Sequence, residues 1–194
     1  MRRDSIMFYR TFVARVRFIS STLQPDGISV RVKYIRQCRG VSRMKISKDL
    51  KFEAGHRLAA GYPGNCQHAH GHSYVVTVEM DSIGTLNKYG FVKDFNDYKL
   101  LKEWVDNNWD HAFLVAKEDT TMLDFLIEND QRHYVFERNP TAENIAEKLF
   151  AVATDLLNDD FSKVSKVLVK ETASSEAVYT TADLPATAYM ASLP

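Results

Sequence analysis

Twice between residues 50 and 80 the chain sets apolar side chains on alternate positions and runs that row into histidine. Leu50, Phe52, Ala54 and His56 form one row, with Lys51, Glu53 and Gly55 between them. His70, His72, Tyr74, Val76, Val78 and Met80 form the other. A period of two marks a strand with one buried face. Both stretches must therefore pair within a sheet, each carrying imidazoles at one end of its buried side. An antiparallel pairing would bring His56 to the end where His70 and His72 lie.

The elements around this pair follow from local signals. Gly61, Pro63, Gly64 and Asn65 mark a loop between the two strands, and Gly84 and Gly90 bracket a predicted hairpin connection. Leu100, Leu101, Trp104 and Val105 have helical spacing within a predicted helix over 96–109, and the apolar stretch Met122 to Ile127 predicts a second. Asn139-Pro140 reads as an N-cap followed by proline at the first helical position. Behind it Ile145, Leu149, Val152, Ala153, Leu156 and Leu157 form a core-facing stripe. Strands are expected near Val164 to Glu171 and Ala177 to Thr181. Strands come in runs rather than in regular βαβ alternation. The expected class is α+β, an antiparallel β-sheet with helices packed on one face.

Charge divides the 194 residues in two. Of 25 basic and 25 acidic side chains, ten basic and two acidic fall in residues 1 to 43, leaving 15 and 23 beyond. The split sets a boundary at Met44, between a basic extension over 1–43 and the main domain over 44–194. The extension lacks the apolar core and cleavage site of a signal peptide, although its Arg-rich make-up is that of some organellar transit peptides. Val30, Val32 and Tyr34 alternate with Arg31 and Lys33, and Pro25-Asp26-Gly27 suggests a hairpin. Such an arm could touch a phosphate backbone, be a plain extra hairpin, or reflect a start at Met44. No apolar run approaches the roughly 18 residues of a membrane span. With two cysteines, Cys38 and Cys66, a disulfide framework is not expected and a reducing cytoplasm fits.

Four of the six histidines lie between 56 and 72. His70 and His72 point the same way on one strand, about 6.6 Å apart at the backbone, and Gly71 leaves the opposite side bare. With His56 they offer three neutral imidazoles, a donor set suited to Zn²⁺ with a fourth position open, as in catalytic sites. His68 shares the alternation and is a rival ligand, ranked below His56 because it falls where loop has yet to become strand.

Cys66 has two readings. As a fourth ligand it would close the tetrahedron; as a base it would act as thiolate, given a cation or dyad beside it. The candidate dyad is Asp110-His111, in which the carboxylate could orient or charge the imidazole. Glu171 shares a face with Val167 and Val169 in an apolar strand. A carboxylate there is either a strand end reaching water or a group that binds something.

In this order, Phe52-Glu53-Ala54-Gly55-His56-Arg57-Leu58, Cys66-x₃-His70-Gly71-His72-Ser73-Tyr74, Gly90-x-Val92-x-Asp94-Phe95, Asp110-His111, Asn139-Pro140-Thr141-Ala142-Glu143-Asn144 and Lys170-Glu171-Thr172 resemble the 6-pyruvoyltetrahydropterin synthase superfamily. Three residues between Cys66 and His70 resemble its 6-carboxytetrahydropterin synthase branch; the pyruvoyl branch, serving tetrahydrobiopterin, has a longer gap. The resemblance implies the tunnelling fold (T-fold), with His56, His70 and His72 as zinc ligands and Cys66 as the proton-abstracting base. It further implies Asp110 and His111 as the dyad that tunes the thiol, and Glu171 as the anchor of the pterin's guanidine-like edge. It implies homo-oligomers built from trimers with sites at subunit junctions. The implied reaction takes 7,8-dihydroneopterin triphosphate to 6-carboxy-5,6,7,8-tetrahydropterin, acetaldehyde and triphosphate, for queuosine (7-deazaguanine) biosynthesis. The alternatives are a 6-pyruvoyl-forming enzyme on this scaffold and a non-catalytic zinc module whose basic arm binds nucleic acid. Gly55 stands where the family more often has alanine, and Val115 where it frequently has asparagine. The stretch from His111 to Asn139 is longer than in compact members.

Overall fold

A computed structural model describes residues 44–59 and 61–180; the basic extension of residues 1–43 and the hairpin predicted in it lie outside the described residues. The two alternating rows are strands β1 (Lys45–His56) and β2 (His70–Ser82), paired antiparallel along their whole length. Leu50, Phe52, Ala54 and His56 are buried while Lys51 and Glu53 are exposed, so the period of two places the face as expected. The register sets His56 opposite His70 and Ala54 opposite His72.

Beyond β2 the chain forms helix α1 (Tyr98–Asn108), strand β3 (Ala112–Ala116), helix α2 (Thr120–Glu128) and strand β4 (His133–Phe136). Helix α3 (Ala142–Leu157) and strands β5 (Ser162–Thr172) and β6 (Ser175–Thr180) complete it. The six strands form one sheet in the order β4-β3-β1-β2-β5-β6. The α+β class holds. The antiparallel sheet is β1, β2, β5 and β6; β3 and β4 extend it in parallel, making the whole sheet mixed.

The core lies between one sheet face and helices α1 and α3. Phe52, Tyr74, Val76, Val78, Val167 and Val169 meet Leu101, Val105, Ile145, Leu149 and Ala153, all buried. Helix α2 stands apart, with Met122, Phe125 and Leu126 lining a groove of about 690 Å³ over the opposite face.

Four local expectations need correction. No strand follows the turns at Gly84 and Gly90, whose φ values of 95° and 84° fit glycine; the segment leads into α1. On α1 the buried residues are Tyr98, Leu101 and Val105, and Leu100 faces out. On α3 Leu156 is exposed, the inward positions being Ala146 and Phe150 instead. The cap of α3 is Thr141, whose hydroxyl accepts the Asn144 amide; Asn139 and Pro140 lie before the helix. Asn139 grips the chain beyond β1: its Oδ1 accepts the Ala59 amide at 2.9 Å and its Nδ2 donates to the Ala59 carbonyl.

Candidate metal centre and dyad

The ring nitrogens of His56, His70 and His72 lie within 4.8 Å of one another. They converge because antiparallel pairing closes β1 onto β2 at the end where both buried faces become histidine. Cys66 and His68 are outside this group, although both were possible ligands on spacing. Cys66 sits half-buried on a short 3-10 turn, Asn65–Gln67, whose backbone is tied to β1's end by the Leu58 amide donating to the Cys66 carbonyl.

Two of the imidazoles have their tautomers set by backbone. His56 Nδ1 donates to the Pro140 carbonyl at 2.8 Å, and His70 Nδ1 donates to the His68 carbonyl at 2.8 Å. Both hydrogens being committed, the Nε2 atoms face each other as lone pairs 3.1 Å apart. Two nitrogens on a tetrahedral zinc, each about 2.0–2.1 Å from it, would be separated by about 3.3 Å. Carbonyl-fixed imidazoles are the usual support of metal-binding histidines. His56 is also held neutral: burial foremost, then the neighbouring histidines, pull its pKa down to about 4 against the Pro140 bond. The donor set fits a divalent metal of the zinc type.

Glu171 lies at the rim of this cluster, Oε1 3.9 Å from His56 Nε2 and 3.5 Å from the hydroxyl of Tyr74. It continues the buried face of Val167 and Val169, as the alternation predicts. Burial, then the charge of Glu171, push the Tyr74 hydroxyl well above the ordinary phenol range, so it remains a donor.

Asp110 and His111 form a pair. Asp110 Oδ2 accepts from His111 Nδ1 at 2.9 Å, and Oδ1 accepts the Glu53 amide at 2.9 Å. The Glu53 amide foremost, with His111, holds the Asp110 carboxyl below its usual range. The His111 amide donates back to the Glu53 carbonyl at 2.7 Å, and His111 adopts φ 58°. The pair is thus clamped to the outward-facing position of β1. His111, with its side chain 76% exposed, lines the groove with Glu53, Gly71, Ser73 and Phe113. Among the described residues no hydrogen bond joins Cys66 to either member.

Several supporting groups escaped the sequence reading. Strands β3 and β4 were not expected from the sequence, nor was the parallel place of β3 beside β1. Arg57 forms a two-pronged ion pair with Asp119, Nε at 2.6 Å from Oδ2, and Asp119 also caps α2. Its guanidinium holds the Asp119 carboxyl below the usual range. The carbonyl of Pro140 gave no sequence signal at all.

The geometry agrees with what this chain resembles. The sequence profile of the 6-pyruvoyl tetrahydropterin synthase family matches residues 45–182. A 6-carboxy-5,6,7,8-tetrahydropterin synthase of Rickettsia felis is 35% identical over 128 residues, spanning 62% of this chain and 83% of that protein. One from Haemophilus influenzae is 32% identical over 143 residues, spanning 70% and 97%. Among solved structures, an uncharacterized protein of Wolinella succinogenes shares the fold with TM-score 0.64 at 23% identity, over 72% of this chain and 99% of that one. The 6-pyruvoyl tetrahydropterin synthase of Caenorhabditis elegans does so with TM-score 0.54 at 23% identity, over 72% and 96%. The chain belongs to the 6-pyruvoyl tetrahydropterin synthase superfamily, in its 6-carboxytetrahydropterin synthase branch.

Proposed function

We propose that the protein is a zinc-dependent 6-carboxytetrahydropterin synthase. It converts 7,8-dihydroneopterin triphosphate and water to 6-carboxy-5,6,7,8-tetrahydropterin, acetaldehyde and triphosphate, acting in the cytoplasm in 7-deazaguanine synthesis. The observation that carries the reading is the convergence of three imidazoles, two with their Nε2 lone pairs directed inward by backbone carbonyls. Bound there by His56, His70 and His72, zinc supplies Lewis acidity toward oxygens of the substrate side chain.

The remaining work falls to the chain's own groups. Cys66, as thiolate, takes the carbon-bound proton. Asp110 keeps His111 oriented, and the pair tunes the thiol. The carboxylate of Glu171 accepts the paired N–H donors of the pterin edge, a charge-assisted contact that fixes register. Among the described residues no hydrogen bond joins thiol and dyad, which supports sites completed between subunits of an oligomer built from trimers. No helix among the described residues is long and apolar enough to cross a membrane.

Incubating the purified protein with dihydroneopterin triphosphate and identifying products tests the reading. Acetaldehyde with the carboxylated pterin is the expected result, lost in Cys66→Ala and after chelation. Triphosphate release without acetaldehyde would instead indicate the pyruvoyl-forming reaction.

A further inference from the structure

The buried hydroxyl of Tyr74 sits between two groups of the candidate site, 3.4 Å from His56 Nδ1 and 3.5 Å from Glu171 Oε1. Its ring is fully buried and stacks on Phe52 at 4.8 Å with planes 8° apart. His56 and His72 meet it edge-on. The ring is therefore pinned on several sides, and its hydroxyl cannot swing out to water.

Proton accounting decides where that hydroxyl points. The hydrogen on His56 Nδ1 goes to the Pro140 carbonyl, the nearer partner at 2.8 Å. A protonated ring nitrogen has no lone pair left to accept with. The phenolic hydrogen then has one acceptor among the described residues, Glu171 Oε1. A buried hydroxyl takes the acceptor available to it, because leaving the group unpaired is costly.

We propose that Tyr74 is a positioning residue: its hydroxyl holds Glu171 Oε1 and so fixes the plane in which Oε2 meets N–H donors of the bound heterocycle. The inference rests on the reading of Glu171 as the anchor of the pterin edge. Strand β5 carries Glu171 two residues beyond Val169 and one before its last residue, and among the described residues the hydrogen bond from Tyr74 is the one its carboxylate accepts. Tyr74, rising from β2 through the core, supplies that restraint.

The test is a double-mutant cycle on the zinc-loaded protein with Tyr74→Phe, Glu171→Gln and the pair, zinc content being measured in each. Phenylalanine keeps the ring and removes only the oxygen. Tyr74→Phe is expected to raise KM for dihydroneopterin triphosphate about tenfold, with kcat changing less than about threefold, as for loss of a bond to a charged group. In the Glu171→Gln background the same change should move KM by less than about twofold. Equal KM factors in both backgrounds, or loss of zinc with Tyr74→Phe, would overturn the assignment. A urea-unfolding cycle on the same four proteins reads the bond without any ligand. There Tyr74→Phe should lower the midpoint more in the parent than in the Glu171→Gln protein. If the parent turns over no pterin, the functional reading fails. The unfolding cycle then decides alone, and equal midpoint shifts in the two backgrounds overturn the pairing.

Discussion

His56 Nδ1 donates to the Pro140 carbonyl at 2.8 Å across 84 residues of sequence, joining the end of β1 to the turn that precedes α3. One hydrogen bond thereby fixes the tautomer of a buried imidazole and aims its free nitrogen at His70.

That relationship has a pH signature. The folded-state pKa of His56 is about 4, below its ordinary 6.5. As pH falls below 6.5 the unfolded chain takes up a proton that the folded chain refuses. The contribution is full above 6.5 and is lost as pH falls through about 4. The metal-free protein should therefore show a lower urea midpoint at pH 5 than at pH 7, and His56→Gln should flatten that limb.

Metal content gives a second check. With zinc in excess and then dialysed, the protein should retain one ion per chain by elemental analysis. His70→Ala or His72→Ala should drop retention at least about tenfold, since two imidazoles make a poor zinc site. Cys66→Ala should keep the ion; its loss there would mean that the thiol is a ligand.

Among the described residues no hydrogen bond joins Cys66 to His111, and this predicts complementation. Cys66→Ala and His111→Ala should each be inactive alone. Mixed oligomers, reassembled from both, should recover activity at on the order of a quarter of the junctions if each junction draws thiol and dyad from different copies. No recovery in demonstrably mixed oligomers would place both groups in one chain's site.

Gly55 and Phe113 form a steric pair on the outward face. A Cβ at position 55 would lie 2.8 Å from Phe113 Cδ2. Gly55→Ala should cost about 1–3 kcal/mol in urea unfolding, as overpacking does. Phe113→Ala in the same chain should relieve most of that cost, and simple additivity would show that the clash is absent.

Thr141 and Asn139 should separate cap from clamp. Thr141→Ala removes the α3 cap and should cost about 1 kcal/mol. Asn139→Ala leaves the cap intact but frees Ala59, so it should speed amide exchange just beyond β1 while that of the first turn of α3 holds. The reverse pattern would restore Asn139 as the cap.

Much of the candidate site was legible along the chain. Alternation alone told that His56, His70 and His72 end buried faces, because successive strand residues must point to opposite sides. Glu171 showed itself as a carboxylate on the valine side of β5 for the same reason. Local chemistry also placed most elements, since their apolar spacing survives without knowledge of neighbours. It failed where two local signals competed: Asn139-Pro140 looks like a helix start, yet the asparagine amide finds a better partner in Ala59.

What the sequence by itself determined is the set of faces: which side chains lie together on a strand or helix. What only the tertiary structure decided is which of those groups meet. The Pro140 carbonyl reaches His56, the Glu53 backbone clamps Asp110 and His111, and β3 runs parallel to β1. Each of these depends on how separate segments cross in space, and backbone amides and carbonyls are alike at every position, so no residue code announces which of them will be used.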